Sequence, residues 1–295
     1  MDGATVPRYS GVGAAMHREP AGWVVALVHA GLVLFTAVVL YPVVWVVGLA
    51  VSPPGEVRLG ALPTSLSLAS FEGVVDTWQG ETWLFGAQLL NSLVVAGATA
   101  VVGVSLAATA AYALSRFSFP GREQGMAAFL VTQMFPGVVM AIPLYILLDL
   151  LHLLDSRAGL VIVYSTTSVP FSVFTLKGYF DTLPVALEEA AIMDGADRWT
   201  VFTRIVLPLA RPALAVTGLF SFMTAWNEFI LAATLLSDPR AYTLPVVLQR
   251  YVDDHGTAWG HFAAGSILVS LPVVMLFFAL QKQFVEGLTA GGVKG

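Results

Sequence analysis

Trp226, Asn227 and Glu228 stand in succession near the end of the apolar run 212–236, where Glu228 is the single ionisable residue. A charge at that depth is costly and faces a cavity or a partner group. Three chemistries are open to it. The indole could stack on the apolar face of a sugar while the amide and carboxylate bond its hydroxyls, giving a substrate pathway. The carboxylate could instead make an interhelical hydrogen bond that packs the protein together. It could also carry a proton. Gln133, Asn91, Asp149 and Tyr145 are weaker pathway candidates, each read more simply as structural.

Catalytic constellations are missing. His17, His29, His152, His255 and His261 form no His-Glu-x-x-His pair, and the chain contains no cysteine. His255 and His261 read as interfacial residues, not metal ligands. No Gly-Lys pair is followed by Ser or Thr, so nothing here can cradle a nucleoside triphosphate. The chain is expected to be no enzyme, to hold no metal or cofactor, and to take its energy from a partner.

The second informative stretch is 178–211. Asp181 or Thr182 can cap a short helix with Pro184 in its first turn, where a missing N–H does no harm. Glu188 and Glu189 lie near that positive helix end. Ala190 and Ala191 are small enough for a partner surface to come close, and Asp194-Gly195 ends the helix in a left-handed cap. Asp197 can cap a second helix. Its Val201, Phe202, Ile205 and Val206 recur at helical spacing and mark one buried face, before Pro208 and Pro212 close it. From this pattern alone, an amphipathic helix lying on a membrane surface is as good a reading as a docking loop.

The elements that position these residues are membrane spans. The chain has 295 residues, 57% hydrophobic and 11% charged, with a mean hydropathy of +0.80. Soluble domains carry about 25% charged residues. Gaps between charges outline about six spans, each long enough to cross hydrocarbon as helix: 23–51, 86–114, 125–150, 159–177, 212–236 and 259–282. Pro42, Pro136, Pro143, Pro170 and Pro272 inside them are tolerable in spanning helices. The first run is far longer than a signal-peptide core and follows a polar, Gly-rich segment, so it reads as a retained span. Gly97, Gly103, Ala107, Ala108, Ala110 and Ala111 give the second span a small-residue face for close helix contact. The fold expected is all-α and polytopic. Segment 1–22 precedes one transmembrane domain, 23–286, and a tail, 287–295, follows. The net charge of −5 is small and says nothing about nucleic acid, and no nucleic-acid partner is expected.

Orientation follows from Lys and Arg in the loops. With the N-terminus inside, Arg8, Arg18, Arg116, Arg122, Lys177, Arg198, Arg204, Arg211, Lys282 and Lys294 lie inside. Only Arg58, Arg157, Arg240 and Arg250 lie outside. Both termini and the 178–211 loop are therefore expected in the cytoplasm. Trp78, Trp83 and Trp259 fit an outer aromatic belt and Trp23 an inner one. The outer loop 237–258 reads equally as a plain connector or as a surface for an extracytoplasmic protein.

Glu189-Ala190-Ala191, three residues, Gly195, nine residues, Ile205, one residue and Leu207-Pro208 resemble the signature loop of ATP-binding-cassette importer permeases. The segments 112–117, Pro120-Gly121, 134–136 and 287–295 look like those of carbohydrate-uptake permeases, most of all the maltose type. The resemblance implies a type I importer transmembrane domain and a sugar substrate, maltose, maltodextrin or a related oligosaccharide. Its implied partners are a homologous second permease, two ATPase copies that bind ATP and Mg, a solute-binding protein and the lipid of a bacterial or archaeal cytoplasmic membrane. It makes 178–211 a coupling loop, with Glu189, Ala190, Ala191, Gly195, Ile205, Leu207 and Pro208 at ATPase-docking positions. The tail residues Thr289, Gly291, Gly292 and Lys294 would also reach the ATPase, and the four glycines suggest that the tail is flexible. An amino-acid or peptide permease with the same loop, and a proton-coupled secondary transporter using Glu228, are the alternatives.

Overall fold

A computed structural model describes residues 22–55, 63–253 and 256–292, with backbone alone at 253, 256–257 and 284–292. Arg58, Asp254, His255, Lys294 and the segment 1–21 lie outside the described residues.

Helix α1 (Gly22–Ala50) is a single apolar rod of 29 residues that continues through Pro42. Residues up to Val46 form a compact unit of their own. Within α1, the polar side chains of His29 and Thr36 bond carbonyls one turn back, at Val25 and Leu32.

The second unit, from Val47 on, holds the remaining elements. A short α2 (Ala69–Val75) leads to a hairpin of β1 (Trp78–Gln79) and β2 (Thr82–Trp83), with Trp78 opposite Trp83. Helix α3 (Leu84–Arg116) is the longest helix in the centre of this unit, and its main neighbour is α6 (Arg157–Phe180). Their contact is close because of a missing side chain. A Cβ at Gly103 would lie 2.9 Å from Ser168 Oγ. Helix α10 (Arg211–Trp226) packs on both, and Ser172 and Ser221 meet at 3.2 Å across the α6–α10 seam. The last helix, α13 (Trp259–Gly292), lies against α10 and α2.

Among the described residues, four helices are long and apolar enough to cross a membrane: α1, α3, α6 and the Trp259–Gln283 part of α13. Two bent pairs bring the total to six if each counts as one span. The expected straight span 125–150 is one of these pairs. It divides into α4 (Arg122–Gln133) and α5 (Gly137–Leu150), which meet at 100°. Pro136 is the cause. It donates no hydrogen bond and forces Phe135 out of helical geometry. Gln133 Nε2 then donates to Thr167 O of α6 and pins the corner. Pro143, Pro170 and Pro272 leave α5, α6 and α13 unbroken.

The other bent pair joins Arg198–Leu209 to α10 at 79°, and within the expected span 212–236 there is a separate interruption. Helix α10 stops at Trp226, and α11 (Ile230–Leu235) begins after a three-residue break. Beyond it come α12 (Leu244–Gln249) and a hairpin of β3 (Val252–Asp253) and β4 (Gly256–Thr257). The described part of the expected flexible tail, 287–292, instead continues α13 as helix.

Candidate functional site

Between α6 and α10 the chain forms α7 (Val185–Met193), α8 (Arg198–Val201), a π-helical turn Phe202–Val206 and α9 (Leu207–Leu209). Two short helices with a turn between them match the sequence expectation for 178–211. The turn is a left-handed C-cap with both of its characteristic bonds. Ala196 N–H reaches Ala191 O at 2.9 Å, Gly195 N–H reaches Ile192 O at 3.0 Å, and Gly195 has φ +91°. Asp197 Oδ1 accepts from Thr200 N–H at 2.8 Å and caps α8. Hydrogen bonds from Thr200 hold the Asp197 carboxyl below its usual range. The first cap differs from the expectation. Pro184 is the N-cap of α7, because Asp181 is held by Lys177 and Ser115, and Thr182 bonds back to Tyr179 O.

Val201, Phe202 and Val206 are buried, as their spacing predicts, with Ile205 half-buried. They pack on the protein's own helices and not on a membrane surface. The cluster they join contains Ala107, Ala108, Ala111 and Tyr112 of α3 and Leu176 and Phe180 of α6, so the small-residue face of α3 serves this contact. Leu207 and Ala191 pack against the same cluster. Of the docking candidates, Glu189, Ala190 and Gly195 are exposed, while Ala191, Ile205, Leu207 and Pro208 are partly covered by the fold. Around the exposed set stand Val185, Leu187, Ile192, Met193 and Trp199, an unusual concentration of exposed apolar side chains on a loop. Gly195 itself has open space where a Cβ would stand. Its constraint is backbone conformation alone.

Glu188 does something its neighbour does not. It is buried, and its carboxylate accepts from Arg116 Nε at 2.6 Å and Tyr112 Oη at 3.0 Å. The guanidinium also donates to Phe180 O at 2.8 Å, Leu183 O at 3.3 Å and Ser115 Oγ at 2.9 Å. The Ser115 hydroxyl donates to Asp181 Oδ1 at 2.6 Å, and Lys177 closes the chain on Asp181 Oδ2. Partial burial acts to raise the Asp181 pKa, but the bonds from Lys177 and Ser115 outweigh it and leave the carboxyl below its ordinary value. The sequence offered one signal for this network: Tyr112 and Arg116 lie in the segment that resembles carbohydrate permeases.

Within this chain Trp226 and Glu228 make hydrogen bonds to other elements, and Asn227 does not. Glu228 Oε2 accepts from Tyr164 Oη of α6 at 2.8 Å, and its two oxygens cap the Leu231 and Ala232 N–H groups of α11. Trp226 is buried and donates to Val269 O of α13. Asn227 is exposed and bonds back to Met223 O. None of the three lines the apolar groove of 790 Å³ between α3, α4 and α6. Asn91 is bonded to Arg157 and to the 240–242 backbone, which is a structural role. No cluster of metal-ligating side chains occurs among the described residues.

Several helices apolar enough to span a membrane and a bent, partly exposed two-helix loop make this a polytopic membrane protein. Residues 101–289 match the family described as the inner membrane component of binding-protein-dependent transport systems, and the chain belongs to it. The chain is 35% identical over 288 residues to the maltose/maltodextrin transport system permease protein MalG of Salmonella typhimurium, covering 91% of this chain and 95% of that one. It is equally, 35%, identical over 269 residues to the galactooligosaccharides transport system permease protein GanQ of Bacillus subtilis, covering 90% and 93%. In fold it matches the crystal structure of a bacterial ABC transporter involved in the import of the acidic polysaccharide alginate. The TM-score is 0.75 at 24% identity, over 95% of this chain and 100% of that one. The chain is a membrane-embedded permease subunit of an ABC importer and not an enzyme.

Proposed function

We propose that this chain is one of two permease subunits of an ATP-driven, binding-protein-dependent sugar importer, with maltose, maltodextrin or a related oligosaccharide as cargo. Relatives named for different glucans and galactans share the same identity with it, which supports the sugar class and leaves the particular sugar to experiment. A second permease, an ATPase dimer and an extracytoplasmic sugar-binding protein complete the assembly. The distribution of Lys and Arg supports placing both termini and the 178–211 loop in the cytoplasm. ATP-driven closure of the ATPase then pushes this loop, and the bundle alternates its access from one side to the other.

One observation carries the docking assignment. Glu189, Ala190 and Gly195 are exposed on a loop whose opposite face is anchored in the bundle, and they sit among exposed Val185, Met193 and Trp199. Small side chains permit close approach, and Glu189 offers a carboxylate for a charge-assisted contact with a basic partner group. The helix running to Gly292 supports a tail contact with the ATPase through Thr289, Gly291 and Gly292.

The test is co-purification with the operon's other products and sugar-stimulated ATP hydrolysis in liposomes. Gly195→Trp and Glu189→Lys are each expected to cut stimulated hydrolysis at least tenfold. Unchanged uptake and ATPase binding in both would sink the docking assignment. Stimulation by amino acids or peptides but no sugar would replace the cargo. The proton-coupled alternative predicts uptake without ATPase that collapses in Glu228→Gln. The capping role of Glu228 speaks against it, since both carboxylate oxygens are committed to α6 and α11.

A further inference from the structure

We infer that Glu188 and Arg116 are the strut through which a push on the coupling loop reaches the bundle, so that α7 and α3 move as one body. This rests on the docking reading of Glu189 and assigns the adjacent glutamate the opposite duty. One helical step separates the two carboxylates by about 100° around α7. Glu189 is exposed, whereas the Glu188 side chain is 4% exposed and that of Arg116 7%.

The geometry suits force transmission. Helix α7 is joined to α6 by the chain itself, through 181–184. Its side-chain hydrogen bonds to α3 run through Glu188, by way of Arg116 Nε and Tyr112 Oη. Arg116 spreads that contact further: it donates to the Phe180 and Leu183 carbonyls, so the ends of α3 and α6 and the entry to α7 share one guanidinium. A charge-assisted pair is shorter and about twice as strong as a neutral one, and the Arg fork fixes direction as well as distance. Tyr112 backs the pair from below, with its ring 4.9 Å from that of Phe202 and edge-on to Phe180 at 6.4 Å. The small residues Ala107, Ala108 and Ala111 let the loop's buried face seat directly on α3, so displacement cannot be absorbed by side chains in between.

A strut differs from a folding contact in what happens during ATPase closure. This chain contains no cysteine of its own, so with partner subunits freed of reactive cysteines two spin labels can be placed at Ala186→Cys on α7 and at the exposed Val101→Cys on α3. In the full importer in nanodiscs, the label-to-label distance is measured before and after trapping with ATP and vanadate. The strut predicts an unchanged distance in the otherwise native chain. It predicts a change of more than about 2 Å, the scale of helix shifts at interfaces, in Arg116→Gln/Glu188→Gln. That double variant leaves no unpaired buried charge, so it is expected to assemble. Maltotriose uptake supplies a second readout, with ATP hydrolysed per sugar imported rising at least fivefold in the double variant and about twofold in Tyr112→Phe. A distance that changes in the native chain, or stays fixed in the double variant, overturns the strut. So does failure of the double variant to retain its ATPase, which would make the pair a folding element. Unchanged uptake and ATPase binding in both Glu189→Lys and Gly195→Trp defeat the docking reading instead, whatever the distances show.

Discussion

The paired helices α3 and α6 are tied at both ends, and the two ties are made differently. At the coupling-loop end the tie centres on charged groups: Arg116 at the end of α3 holds the Glu188 carboxylate and the Phe180 and Leu183 carbonyls, and Ser115 holds the Asp181 carboxylate, itself paired with Lys177. At the opposite end the bonds run mostly from neutral side chains to the backbone of the 237–244 loop. Asn91 donates to Arg240 O and Tyr242 O, Gln88 donates to Pro239 O, and Ser92 accepts from Leu244 N–H. Asp155 accepts from the Ser237 and Asp238 N–H groups. Asn91 is the hub, because its Oδ1 also receives Arg157 Nε at 2.7 Å. A loop held by its backbone keeps its shape while leaving its own side chains free, and Ser237, Asp238 and Arg240 are exposed. A loop held through one buried carboxylate gives up that freedom for a fixed register. The first design suits a surface whose side chains must vary with a partner. The second suits a part that must move with its helix.

The largest expected effect follows from the charged tie. Glu188→Leu leaves the Arg116 guanidinium buried without its counter-ion, which costs about 3–5 kcal/mol when one partner of a buried pair is removed. Denaturant titration of the purified subunit in micelles measures it. Asn91→Leu at the other end strands two carbonyls and Arg157, at about 1–3 kcal/mol, and should speed amide exchange at Leu244 and its neighbours. The contrast between the ends breaks if Asn91→Leu costs as much as Glu188→Leu.

Much of this arrangement was legible in the residues, and the part that was not has a common cause. Periodicity located the apolar runs, and local chemistry located the Gly195 turn and the Asp197 cap, because each is decided within a few residues. The inward turn of Glu188 was not legible. Both glutamates lie on one short helix, and which of them faces α3 depends on Arg116, 72 residues away. The breaks at Phe135-Pro136 and at Asn227 were hidden for a similar reason. Pro136 and the polar pair Asn227-Glu228 mark the places without deciding them, and the corners are held by Thr167 and Tyr164 of another helix. Asp181 looked like a cap for α7 because its commitment to Ser115 and Lys177 could not be seen from sequence position.

A smaller effect probes what lies between the two ends. The Gly103→Ala methyl would meet Ser168 Oγ at 2.9 Å, and the hydroxyl can give way only by leaving its well. A cost of about 1 kcal/mol is expected, at the low end for overpacking. Gly103→Ala/Ser168→Ala should recover most of it. Failure to recover would mean that the backbones, not the hydroxyl, set the α3–α6 spacing, and that both ties are strained by moving it.

The smallest effect is on pH dependence, and it separates the ends by which groups titrate. The folded chain holds the Asp181 and Asp197 carboxyls below their ordinary value of 3.8. A lowered folded value means that the unfolded chain binds the proton more readily. The stabilisation is therefore complete above 3.8 and is lost as pH falls from there through the folded values. The coupling loop should keep its amide protection unchanged from neutral pH down to about 4. Below that, Thr200 N–H, bonded to Asp197, should lose protection first, because that cap is fully solvent-exposed and nothing else replaces it. Hydrogen exchange at pH 5 and pH 3 compares the two directly. The bonds made by Gln88, Asn91 and Ser92 carry no titrating group, so the Leu244 amide, held by Ser92 Oγ, should change little over the same step. Equal loss at both ends would mean that acid loosens the whole α3–α6 pair and not its charged end.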